Sequence, residues 1–411
     1  MPEATKPEKL RGIRGLAVQR AGALALLVAL STFPSLIAAA CAPKAAQTSS
    51  NSAPQAAEWN DPQWTDLIAA ARREGKVVIA AGGEPSRSYP PLLDVFSQRY
   101  GVTAEMTTGN ATETVNRLLA ERSSGVYTVD VGLIAHNTSQ RRLVPAGALT
   151  PVEPLLIHPE VTDKSLWYRG RYWFADEEQQ YVFLYSGKPE DSWRFWYNSE
   201  RLSPAEVATI KSLQDFFDPK WRGKHASLAI SDPSGLASLI RLYLAPEAGP
   251  DWVHRFIYDS DVTFTGDRRV LETWLTQGRY PLVFPAGGTD ELVDLQNAGL
   301  PIKEGQIPKQ TPGLQTPSSA SSIEAFDHAP HPNAAQLFVN WFLSKDGQSQ
   351  VQKIDGALFG SMRDDIGYGN IDPSARRKPG VVYEYEEAEP WRAEAANAAV
   401  AQIQEWWDAK P

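Results

Sequence analysis

A single cysteine in 411 residues excludes an internal disulfide, a thiolate zinc cluster and an iron–sulfur cluster. Histidine is scarce as well. The six are dispersed, and the closest pair, His328 and His331, stands in a Pro-rich loop and reads as solvated rather than metal-ligating. The chain has no Gly-x-Ser-x-Gly elbow, no Gly-x-x-x-x-Gly-Lys phosphate loop and no His-Glu-x-x-His helix, so the common hydrolase, nucleotide-binding and zinc-protease signatures are missing. The carboxylate pairs Asp364-Asp365 and Glu386-Glu387 lie in polar stretches and are expected to face solvent. Clustered Lys and Arg with interleaved aromatics are also absent, which argues against a nucleic-acid partner. Neither a cofactor nor a metal is implied.

What charge there is sits unevenly. The net value is -9, yet Lys6, Lys9, Arg11, Arg14 and Arg20 face only Glu3 and Glu8 before residue 40, a surplus of three positive charges that leaves -12 on the rest. This basic start precedes an uncharged apolar run, Ala21 to Leu30, and the small-residue sequence Leu36-Ile37-Ala38-Ala39-Ala40 before Cys41. That is the order of a secretory signal ending at a cleavage site. The arrangement resembles a bacterial lipobox, with Ala38 where leucine is usual, and so predicts lipidation of Cys41. Cleavage by an ordinary signal peptidase and an uncleaved membrane anchor are the two rival readings. All three export the chain.

Residues 42–58 contain no large apolar side chain and read as a tether. Globular patterning then begins: Trp64, Leu67, Ile68 and Ala71 share a helical face stopped by Gly75, and Val77–Ala81 reads as a buried strand. Helix Leu92–Tyr100, strand Val102–Thr107, helix Glu113–Arg122 and strand Val129–Ile134 continue the alternation, and a second such set follows from Leu213. Alternating strands and helices over short connections predict parallel sheets with right-handed crossovers. The fold class is therefore α/β, with two lobes, each a mainly parallel sheet flanked by helices, and a cleft between them.

Aromatic, β-prone stretches at Tyr172–Phe174, Tyr181–Tyr185 and Phe195–Tyr197 are expected to enter and cross between lobes. Thr311–Ser322 reads as a loop, Pro332–Leu343 as a helix returning to lobe one, and Pro390–Trp407 as a packing helix. The chain thus divides into a signal peptide (1–40), a lipidated tether (41–58), lobe one (59–190), lobe two (191–311), a return to lobe one (312–360) and a C-terminal extension packing on the body (361–411).

In open parallel sheets, ligands bind outside the carboxyl ends of strands. That rule nominates Gly83, Glu84, Gly109, Asn110, His136 and Asn137 from lobe one, and Ser231, Asp232, Ser234, Gly287 and Gly288 from lobe two. Tyr197 joins them as a crossover aromatic able to line the cleft, and core packing is its competing role. Each polar loop could equally be a helix cap, Asp232 above all. Gly-rich backbone and hydroxyls suit a polar, anionic solute, whereas Glu84, Asp232, Asp267 and Asp290 would suit a cation if several faced the cleft.

Several segments recur in order: Glu74-Gly75-Lys76-Val77-Val78, Thr108-Gly109, Arg117–Arg122, Val129-Asp130-Val131, Pro145–Leu149, Tyr197-Asn198, Asp218–Lys224, Ser231-Asp232-Pro233, His331–Ala335 and Leu343–Gln348. The series resembles the extracellular solute-binding proteins of ABC importers, in the group carrying ferric iron, polyamines, thiamine or phosphonates, over about residues 60–360. The resemblance implies a type II periplasmic-binding fold, a monomer that closes on a small solute and docks on a permease. The ferric branch uses adjacent tyrosines as ligands, and no Tyr-Tyr pair occurs here. An anchored enzyme and a sensor ectodomain are the alternatives that share the same cleft.

Overall fold

The computed structural model describes residues 59, 61–82, 85–109, 111–287, 290–316, 322–354, 359–369, 371–386 and 388–410. The signal peptide, the tether with Cys41, and Gly83, Glu84, Asn110 and Gly288 lie outside the described residues. The strands are β1 (Lys76–Gly82), β2 (Thr103–Gly109), β3 (Val131–Leu133), β4 (Leu149–Thr150), β5 (Phe183–Leu184), β6 (Ser186–Asn198) and β7 (His225–Leu228). They continue with β8 (Thr263–Thr265), β9 (Leu282–Val283), β10 (Ile302–Gln315), β11 (Ser322–Phe326), β12 (Gly360–Ser361) and β13 (Glu384–Tyr385). The longer helices are α1 (Pro62–Glu74), α2 (Pro90–Tyr100), α3 (Ala111–Ser123), α4 (Pro233–Leu244), α5 (Gly249–Tyr258), α6 (Arg268–Thr276), α7 (Asp290–Asn297), α8 (Pro332–Leu343), α9 (Lys345–Ile354) and α10 (Pro390–Asp408).

Two sheets organise these elements. Lobe one has the order β2-β1-β3-β11-β4, with β5 beside β11; lobe two has β13-β10-β6-β9-β7-β8, with β12 beside β6. β1, β2 and β3 run parallel, as do β7, β8 and β9. β6 and β10 form a long antiparallel pair from Asn198–Ile302 to Lys188–Gln315, with an irregularity between Pro308 and Gly313. These two strands carry the chain between the lobes.

Local chemistry explains the boundaries in lobe one. Asp61 caps α1 by accepting from the Gln63 N–H at 2.7 Å, and Gly75, at φ 82°, closes the helix onto the Ala71 carbonyl. β1 is buried on both faces after Lys76, as a central parallel strand covered by helices must be. α8 is buried from Ala334 to Leu343 apart from Gln336, and two carboxylates fix where it starts. Glu74 accepts from Asn333 N (3.2 Å), Asn333 Nδ2 (2.5 Å) and Ala334 N (2.7 Å). Asp130 accepts from Val78 N (2.7 Å), His331 N (2.7 Å) and His331 Nδ1 (2.9 Å).

The sequence expectations fail in two places. Tyr172–Phe174 is not a strand; only Phe174 makes a bridge, to Phe183, while the Tyr172 hydroxyl donates to the Val161 carbonyl. Thr311–Gln315, read as loop, continues β10, because pairing to β6 resumes at Gly313 beyond the irregularity. α10 packs Ala399 and Ile403 into the lobe-two core, and no helix among the described residues is long and apolar enough to cross a membrane.

Glu74→Ala would strip the acceptor from three donors at the start of α8. A loss of about 1–3 kcal/mol is expected, readable as a lower urea midpoint at unchanged m-value.

Candidate functional site

The strand-end rule brings the lobe-two candidates together. A Cβ on Gly287 (φ 73°) would lie 2.8 Å from the Ser234 Cβ and 3.1 Å from Arg268 Nη2, and one on Gly266 would lie 2.4 Å from Ser231 Oγ. Ser231, Ser234, Gly287 and Arg268 are therefore neighbours at the carboxyl edge of this sheet. Arg268 escaped the sequence reading although it directly follows Gly266-Asp267. Asp232 accepts from Ser234 N (2.8 Å) and Gly235 N (3.2 Å) and lies 3.8 Å from Arg268. Its carboxylate caps α4, as one of its two readings held.

Tyr197 does not reach this edge. It pairs with Leu282 at the start of β9, the end opposite Gly287, and at 7% exposure it belongs to the lobe-two core with Phe195. Trp193 and Trp196 are buried too, so the aromatic richness of β6 serves packing.

In lobe one, Gly109 ends β2 beside Thr114, while His136 and Asn137 face a cavity of about 390 Å³. From the same turn come Gln140 and Arg141, and from the next the residues Ala175, Asp176, Glu177 and Gln179. α4 of lobe two supplies Ala237, Ile240, Arg241 and Leu244. The third wall is Thr316 with Glu386, Ala388, Glu389, Arg392 and Ala396. The sequence reading missed this wall because the strand ends that lead into Thr316 and Glu386, those of β10 and β13, were not recognised as strand, and it missed the α4 face because that face lies along a helix.

Burial, with the nearby Arg141 charge, pushes the His136 imidazole down to about 4, so the ring is neutral at pH 7. Under the same turn, burial lifts Glu324 to about 8 despite the hydrogen bond from Ser322, leaving a neutral acid beneath the floor. The expectation that Glu386 faces solvent is overturned. Arg241 Nε donates to it at 2.6 Å and Lys309 at 2.8 Å, and its side chain is 8% exposed. Glu190 pairs with the same two cations. Asp364 and Asp365 also take partners, Arg377 at 2.8 Å and Arg363 at 2.9 Å.

Two α/β lobes joined by paired crossover strands, with a cavity lined from both, define a binding protein that encloses a small molecule. Residues 92–363 match the profile of the bacterial extracellular solute-binding proteins, and the chain belongs to that family. Among curated proteins none matches.

Solved structures share the fold. An ABC transporter from Clostridium perfringens ATCC 13124 aligns with a TM-score of 0.54 at 14% identity, covering 80% of this chain and 99% of that one. Apo FutA2 from Synechocystis PCC6803 gives 0.53 at 14%, covering 81% and 98%. The Trichodesmium protein IdiA (FutA), in complex with iron and citrate ligands, gives 0.52 at 15%, covering 81% and 99%. At these identities the likeness concerns the fold.

Burial alone would raise Glu386, but Arg241 and Lys309 override it and hold the carboxyl down to about 2 from 4.5. A depressed carboxylate adds stability above its unfolded value and loses it as pH falls. Stability is thus expected to decline below pH 4.5 towards 2. Glu386→Gln should flatten that decline and cost about 3–5 kcal/mol at pH 7 by stranding buried positive charge, measured by denaturant titration across pH.

Proposed function

We propose that the chain captures a small polar solute outside the cytoplasm, in the cavity between lobe one and α4, and hands it to an ABC permease as a monomer. The observation that carries this is the joint lining by His136 and Asn137 of lobe one, α4 of lobe two and the C-terminal segment, around about 390 Å³. That volume falls within the usual range of small-molecule pockets. The edge loops bearing Gly109 in lobe one, and Ser231, Asp232, Ser234 and Gly287 in lobe two, form the rim that closes over it. β6 and β10 are the hinge. Closure is driven by contacts that the solute makes with both lobes at once, because only differential affinity shifts the equilibrium between open and closed forms.

Ile240→Trp would fill the cavity from the α4 side. In a thermal-shift screen of polar solutes, a compound that raises the wild-type melting temperature by mass action is expected to leave this variant unmoved. An equal shift in both proteins would place the solute elsewhere.

The export reading gives the protein its place. Residues 1–40 are the signal peptide, Cys41 takes the lipid, and residues 42–58 tether the lobes to the outer face of the membrane. Acyl chains contribute about 0.8 kcal/mol per buried methylene, so several hold the protein firmly. Expressed in a bacterium with its leader, the wild type is expected in the membrane fraction and Cys41→Ala in the soluble one; a soluble wild type would refute the anchor.

A further inference from the structure

The polar groups around the cavity are unevenly satisfied. Asp176 is fully buried and accepts from the backbone N–H groups of Gln180 (2.7 Å), Tyr181 (3.0 Å) and Val182 (2.7 Å). Glu386 has Arg241 and Lys309, Glu389 has Arg169, and Arg392 has Glu384 at 3.0 Å. His136 and Arg141, close in sequence in lobe one, differ from these. His136 is 8% exposed, and its Nδ1 is buried without a hydrogen-bond partner. Arg141, five residues on, lines the same cavity and makes no ion pair with any described carboxylate, yet its charge reaches His136. A buried ring nitrogen without a partner among the described residues is uncommon in folded proteins and calls for an explanation.

The facing wall is of another kind. Ala237, Ile240 and Leu244 recur at helical spacing on α4, and Ala396 of α10 adds to them. Carbon surface there gives a polyhydroxylated solute few partners. A cation would meet the charge of Arg141 and find Asp176, Glu386 and Glu389 already engaged. Glu177, the remaining lining carboxylate, is exposed like Arg141, and water and salt screen both; Arg141 is the one whose charge reaches His136.

Resting on the cavity as the solute site, we propose that the solute is a small organic acid or phosphate ester, its anionic group held by Arg141 and His136 and its carbon skeleton laid against Ile240 and Leu244. Arg141 supplies the charge and the planar donor fork that suits carboxylate and phosphate oxygens. His136, neutral, offers one N–H donor and one acceptor in a fixed position.

The test is isothermal titration of adipate, hexanoate, glycerol 3-phosphate, spermidine and glucose into the wild type, Arg141→Gln, Arg141→Lys and Ile240→Trp, each variant first matched to the wild-type far-UV spectrum. An acidic probe is expected to bind the wild type, with Arg141→Gln weakening it about 10- to 100-fold, Arg141→Lys recovering part of that loss and Ile240→Trp abolishing it. The carboxylate and phosphate arms show which anion is preferred. If no acidic probe binds at millimolar concentration, or one binds with Arg141→Gln unchanged while Ile240→Trp blocks it, the acidic class is overturned and the cavity stands. Binding indifferent to Ile240→Trp overturns the cavity itself.

Discussion

Four charged side chains meet where the lobes join. Lys309 of β10, its side chain 1% exposed, pairs with Glu190 of β6 and with Glu386 of the C-terminal segment, and Arg241 of α4 pairs with the same two carboxylates. Lys309 also lies 4.4 Å from the centre of the Trp193 ring, and the Trp193 indole donates to Glu247 at 2.7 Å. Burying such a set costs several kcal/mol per ion in lost hydration, so its net yield in stability is modest. What it contributes is a unique arrangement: both crossover strands, α4 and the C-terminal segment are held in one relation, since any other leaves a buried charge unpaired. The cavity exists because that relation presents Ile240 and Leu244 towards His136 and Asn137.

The C-terminal segment belongs to both cores. Tyr383, Tyr385 and Ala388 are buried in lobe one, and Ala399 and Ile403 in lobe two. The Tyr385 hydroxyl donates to the Ser186 carbonyl at 2.6 Å, at the first residue of β6. This strap follows residue 363, where the family match ends, and it makes one wall of the cavity. The scaffold is thus a family property, whereas part of the cavity wall lies beyond the matched residues.

Much of the scaffold could be read from sequence because its signals are local. Gly75 and Gly101 end helices at positive φ, and the Val77–Ala81 run is the buried strand it resembles. The motifs that carried the family resemblance prove to be braces: Glu74 and Asp130 hold the start of α8, and Asn198 accepts from Glu200 N and Arg201 N while donating to Leu275 O and Thr276 O. Such residues report the fold and say little about a solute. The Thr311–Gln315 stretch was read as loop because Thr, Pro and Gly in succession carry no strand pattern; its place depends on pairing to β6. Tyr197 takes the core-packing role that competed with a place in the cleft, because strand direction puts it at the opposite end of the sheet from Gly287. Glu386 misled because charge in a polar stretch reads as solvated until its partners, distant in sequence, are known. The cavity draws its walls from opposite ends of the chain, so no local pattern announces it.

Where the solute sits is the central question. The most direct measurement is a crystal structure of the protein with the solute it carries through purification. The expected result is ligand density bounded by His136, Arg141, Ile240 and Ala396, with the lobes closed about β6 and β10. A solute seated instead against Ser231, Ser234 and Gly287, with the cavity beside α4 empty, would contradict it.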